Sequence, residues 1–132
     1  MGFRFEFDPG NKVLLVRVDG RLTDELLAET QRAIRTNSIA TDARAGIFDF
    51  SSVTEVALST AYLQELAREE PAMIDATRRP RIIVAPTAVI FGLSRMFQML
   101  GESTRPLLEV VRTLDEALAA LGIQSPGFEP YP

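Results

Sequence analysis

The sequence predicts an α/β domain on a mostly parallel, mixed five-stranded sheet, with an N-terminal β-hairpin, four helices and the order β-β-α-β-α-β-α-β-α. Three observations predict it. Two short, almost wholly apolar runs, residues 46–50 and 82–85, have the character of strands buried on both faces. Around them lie stretches whose apolar residues recur at helical spacing, and such alternation calls for parallel strands with helices packed on the sheet. Ahead of them Phe3, Phe5 and Phe7 alternate with Arg4, Glu6 and Asp8, the period of a strand with one buried face.

That first strand is expected at the sheet edge. Asp8-Pro9-Gly10-Asn11 is turn chemistry, Pro presetting one dihedral and Gly supplying a positive φ, so residues 12–18 complete a hairpin. Asp19-Gly20 ends the strand, Thr23 caps a first helix, and Asp24 and Glu25 suit its positive end. Leu22, Leu26, Leu27, Thr30, Ala33 and Ile34 form the helix's apolar face to about Thr36, and residues 37–44 read as a loop. Residues 46–50 are the central strand, closed by Asp49 and a turn that begins at Ser51, with the aspartate accepting hydrogen bonds from that turn.

Ser59 or Thr60 then caps a second helix that turns Ala61, Leu63, Leu66 and Ala67 inward, and Pro71 interrupts it, because proline fits a first helical turn but not an interior one. Arg78, Arg79 and Arg81 surround Pro80 in a loop expected to be solvated. After strand 82–85, Pro86-Thr87 opens a third helix to about Leu100, closed by Gly101. Residues 107–111 are the last strand, and Thr113 with Glu116 reads as a capping box for a final helix to Leu121. The expectation is one domain over residues 1–123, with 124–132, rich in Pro and Gly, as a flexible tail.

Composition narrows the function. A net charge of -4 and a pI near 4.9 argue against nucleic acid, which needs a basic surface to displace counterions. The chain has no His and no Cys, which removes disulfides, thiolate chemistry, ordinary zinc sites and the usual general base near neutral pH. No metal or cofactor is expected. No serine sits in a nucleophile-elbow pattern and no Gly-rich loop follows a strand to cradle phosphates, so the reading is a non-enzyme. The longest uncharged run, residues 82–94, contains Pro86 and falls short of the ~20 apolar residues of a membrane span. No leader is read at residues 1–6, so no transmembrane segment and a cytoplasmic location are expected.

Three stretches carry a family resemblance. Asp19-Gly20-Arg21-Leu22-Thr23 is similar to an aspartate-glycine-x-leucine approach to a first helix, and residues 47–54, IFDFSSVT, to an apolar strand with its aspartate and turn. Residues 94–101, SRMFQMLG, with 114–118, LDEAL, resemble a later basic-apolar-Phe helix ending in glycine and a closing helix. Together, over residues 3–123, they resemble the STAS and SpoIIAA-like superfamily, the fold of anti-sigma-factor antagonists and of regulatory domains on sulfate transporters. The resemblance implies a regulatory or protein-interaction module. In the sporulation-type antagonists the turn continues into aspartate-serine-x-glycine, where the serine is phosphorylated to control partner binding. Here that place reads Ala57-Leu58-Ser59-Thr60, so a gapless alignment sets Leu58 on the phosphoacceptor and Ser59 reaches it only by a one-residue slip. The chain is also similar to the divergent STAS/SEC14-like branch, which implies the alternative of a small apolar or lipid-like ligand between the sheet and the second and third helices.

The candidate site residues follow. Ser59 and Thr60 are a candidate phospho-switch, since phosphate at a helix N-terminus meets free amides, although the plain helix cap is the favoured reading, Ser and Thr being preferred there for local reasons. Spacing at 100° per residue puts Val89, Leu93, Met96, Phe97 and Leu100 on the inner face of the third helix and Thr87, Ser94, Arg95 and Gln98 opposite. Phe91 falls among those polar residues with Met99 at its flank, so Phe91, Arg95, Gln98 and Met99 are the expected interface or ligand contact. The partners read from this are a second copy of the chain, another protein, or a small apolar ligand. Arg78, Arg79 and Arg81 could receive an anionic group, but fall short of the roughly 4–8 cations typical of membrane recognition.

Overall fold

The computed structural model describes residues 2–73 and 75–132; Met1, the first residue of the expected domain, and Ile74 lie outside them. The elements are β1 (Phe3–Asp8), β2 (Val13–Thr23), α1 (Asp24–Thr41), β3 (Ala45–Ala57), α2 (Thr60–Arg68), β4 (Arg81–Val84), α3 (Ala88–Leu100), β5 (Leu108–Val111), α4 (Leu114–Ala120) and β6 (Glu129–Tyr131). One mixed sheet runs β5-β4-β3-β2-β1-β6, with β2 to β5 parallel and β1 antiparallel to both its neighbours.

Alternation along each strand sorts the core into two layers. Leu14, Val16 and Val18 of β2 share one layer with Phe50, Ile83, Leu27 and Ile34 of α1, Leu63 and Leu66 of α2 and Ile90 of α3. Val13, Leu15, Ile47, Ile82 and Val84 face the other way, where Ala117 of α4 packs with Leu114, Leu118 and Phe128 around it. The apolar runs read as doubly buried strands are buried this way because helices cover both faces.

Four expectations need correction. The sheet has six strands, and the chain end forms β6 on the outer edge of β1, which is therefore internal and not an edge strand. Asp8 holds it there: its buried carboxylate accepts from the Gly127 amide at 3.0 Å and from the Asn11 amide and side chain at 3.0 and 2.7 Å, while Phe7 meets Tyr131 edge to face. Pro130 lacks an N–H, which an edge strand tolerates.

Second, neither Asp19-Gly20 nor residues 51–54 end their strands. Gly20, at φ 75°, sits beside a shift of register, and β2 and β3 run on as a two-stranded parallel ribbon to Thr23 paired with Ala57. Third, α1 reaches Thr41, because Ser38 is small enough to be buried one turn after Ile34 and Asp42 ends the helix in the left-handed conformation at φ 51°. Fourth, Ala61 of α2 is exposed and only Leu63, Leu66 and Ala67 are buried.

Candidate functional site

The ribbon of β2 and β3 delivers two helix starts side by side. Thr23 caps α1, its hydroxyl accepting from the Leu26 amide at 3.0 Å, and Ser59 caps α2, accepting from the Tyr62 amide at 3.1 Å. Because Thr23 pairs with Ala57, Asp24 stands beside Ser59. Its carboxylate accepts from the Ser59 amide at 2.9 Å and the Ser59 hydroxyl at 2.8 Å. Ser59 is thus engaged as donor and acceptor at once, tying one helix N-terminus to the other. Thr60 is the first residue of α2 and is exposed.

Asp49 is buried near the middle of β3, and its Oδ1 accepts from the amide of exposed Ser51 at 2.9 Å. Its other oxygen pairs with Arg17 at 2.8 Å, and Arg17 reaches on to Glu6 at 2.6 Å. Asp49 therefore anchors three adjacent strands on the α4 side of the sheet.

The third helix is rotated from the face its sequence suggested. Ile90 and Ser94 are its buried residues, and Val89 (61%), Met99 (70%) and Leu100 (48%) are exposed. Phe91 is half-buried, with the Arg112 guanidinium 4.1 Å from its ring centre, so it is not the exposed aromatic expected. Gln98 is half-buried and donates to the Leu108 carbonyl at 2.7 Å, clasping β5, while Arg95 is exposed. The cause is compositional: with Arg95 the one charge in AVIFGLSRMFQML, several arcs are apolar enough to face inward. Small Ser94 is buried there one turn after Ile90. The expected cluster of Phe91, Arg95, Gln98 and Met99 accordingly divides, leaving Met99 and Arg95 outside.

Beneath α1, α2 and α3 the sheet leaves a cavity of about 60 Å³, apolar-walled but for Gln31, Ser94, Arg81 and Arg105. Both arginines are almost fully buried, at 2% and 3% exposure, against the expectation of a solvated loop for Arg81. The same loop's Arg79 is also engaged, with Asp42 and the Ala43 carbonyl, each at 3.0 Å. Arg105 donates to the carbonyls of Ala67, Leu66 and Glu69 at 3.0, 3.2 and 3.3 Å and stacks on Phe97, forming a cationic cap on the C-terminus of α2. Burial pushes its guanidinium below the usual arginine value, and Glu69 acts in the other direction. Arg81 begins β4 between Gly46 and Leu108. Two residues before Ile83, it points to the same face. Burial first, and the nearby Arg105 second, push it down to about 10, so it stays a cation at neutral pH. A run of arginines gave no sign that one would be a core residue; the clue available was its place beside the apolar strand.

No cluster of three or more His, Cys, Asp or Glu able to hold a metal occurs among the described residues, and no described helix is long and apolar enough to cross a membrane. No protein-family model and no curated protein matches the sequence. Among solved structures, the chain is similar to the Bacillus cell fate determinant SpoIIAA in its phosphorylated form, with a TM-score of 0.55 and 18% identity over 90% of this chain and 98% of that one. It is also similar to the anti-sigma factor antagonist SpoIIAA in its unphosphorylated form, with a TM-score of 0.59 and 16% identity over 93% and 99%. The fold is STAS/SpoIIAA-like.

Proposed function

We propose that this chain is a non-catalytic protein-interaction module of the regulatory kind, working as a homodimer whose contact face is the outer side of α3. The fold shared with an anti-sigma factor antagonist supports the regulatory half of that reading. The observation that carries the interaction half is the solvent side of α3, where Val89, Met99 and Leu100 stand exposed. A helix apolar all round belongs between two layers, and here the fold covers one side only. Gly92 lies on that open side in mid-helix, where glycine costs about 0.5–1 kcal/mol relative to alanine, and a Cβ there would meet nothing within 4 Å. Nothing inside the chain calls for it; the close approach of a second helix does. The stripe carries a single charge, Arg95, at one side of it, so its apolar part can lie against its own two-fold copy, which favours a second copy as the occupant.

In this reading Ser59 is a structural cap. Its hydroxyl is already held from both sides, and a phosphate on it would stand against the Asp24 carboxylate. The absence of His and Cys from the sequence supports a non-catalytic role.

The test is sedimentation equilibrium at tens of micromolar for the natural chain and for Val89→Glu/Met99→Glu. A dimer that becomes a folded monomer supports the proposal. A natural chain that sediments as a monomer, or a variant that remains dimeric, overturns it.

A further inference from the structure

The geometry points to the cavity between the sheet and α1 to α3 as a binding site for a small monocarboxylate, its carboxylate on Arg81 and its short apolar body toward Leu22, Leu58 and Leu93. This goes beyond the interaction reading and does not depend on it.

Arg81 carries the argument. It is 2% exposed, and its buried Nε and Nη2 find no hydrogen-bond partner among the described residues. No carboxylate among the described residues lies within ion-pair distance of it. A buried charge of this kind costs several kcal/mol unless it is paired. Its backbone is paired to both β3 and β5, so the side chain starts from an internal strand of the sheet. Arg105 adds a second buried positive charge on the cavity wall while spending its own donors on α2. The cavity is therefore positive and lined by no carboxylate.

The two unpartnered atoms also specify the anion. Nε and Nη2 form the side-on edge of the guanidinium, two parallel N–H groups at the spacing of a carboxylate's two oxygens. Apart from Gln31 and Ser94 the remaining wall is apolar, with Leu22 and Leu27 buried and Leu58 and Leu93 half-buried. Size sets the class. At about 10–15 Å³ for each water-sized group, 60 Å³ admits roughly five, enough for a carboxylate on a body of a few carbons and far too little for a lipid acyl chain.

The probes are propanoate and pentanoate, with pentanamide, chloride and inorganic phosphate as controls, read by thermal unfolding and by Arg Nε–H NMR signals. At a tenfold excess over its Kd, a fitting carboxylate should raise Tm by about 5 °C. Pentanamide should give no shift, Arg81→Met should abolish the carboxylate shift, and Arg81→Lys should retain part of it. Several results overturn the proposal: no shift with either carboxylate, an equal shift with pentanamide, an equal shift with chloride or phosphate, or a shift that survives in Arg81→Met. Should Arg81→Met fail to fold, the pentanoate and pentanamide comparison on the natural chain still decides.

Discussion

Methionine at Arg105 and methionine at Arg81 should have opposite consequences, although both remove a buried arginine of the same layer. At Arg105 the substitution strips the cap from α2. Two of the carbonyls it serves, Leu66 and Ala67, are buried and have no water to turn to. Each bond to a charged donor contributes about 1.5–3 kcal/mol, the cation at a helix C-terminus about 0.3–1 and the contact with Phe97 about 0.5–1. The guanidinium's regained hydration offsets part of this, and methionine refills most of the volume. The net loss should be about 3 kcal/mol, in line with breaking other buried charged contacts. For a chain of 132 residues that lowers Tm by about 12 °C. At Arg81 the same change removes a buried charge that has no bonds at Nε or Nη2 to lose, so stability should stay level or rise by up to about 2 kcal/mol. Urea unfolding with linear extrapolation measures both. If Arg81→Met proved as costly as Arg105→Met, Arg81 would have a strong partner and the description of the cavity would fail.

Three further outcomes are expected. Ser59→Ala should cost about 1 kcal/mol by removing the α2 cap, and Ser59→Asp more, because its carboxylate would face Asp24; equal unfolding midpoints for all three chains would refute the tie between the helix starts. Burial raises the pKa of Asp8, but bonds from Asn11, Gly127 and Gly10 outweigh it and hold the carboxyl below its usual value. Such a group contributes stability above its unfolded pKa of ~3.9 that is lost as pH falls through the folded value, so β6 should lose hydrogen-exchange protection in acid well before the central strands. Protection of the Gly127 amide that persisted in strong acid would contradict this. Phe91→Ser should destabilise the chain by about 2 kcal/mol, since the ring is half-buried under Arg112, and leave its oligomeric state unchanged. Loss of self-association in a variant that keeps its stability would return Phe91 to the interface.

What was legible in the sequence was local. The caps at Thr23, Ser59 and Thr113 and the apolar runs of β3 and β4 each announce themselves within a few residues, and the alternation of strand and helix follows from them. Nonlocal pairing was hidden. Residues 129–131 look like a loose end because Pro and Gly dominate the composition nearby, yet Asp8, far away in the chain, holds them. The ribbon past Gly20 reads as turns because Asp19-Gly20 and Ser51-Ser52 are local turn residues, whereas the pairing that keeps Leu22, Val53 and Val56 in strands against the core is made across the chain. The face of α3 was misread because a nearly uncharged helix gives a wheel little contrast. The burial of Arg81 follows from its neighbours across the sheet, which no window along the chain contains.

Native mass spectrometry of the freshly purified chain, beside Val89→Glu/Met99→Glu, tests the interaction reading most directly. The expected result is a species at twice the 14.6 kDa chain mass for the natural protein and the single-chain mass for the variant. A natural chain seen only as a monomer, or a dimer indifferent to the two glutamates, would contradict it.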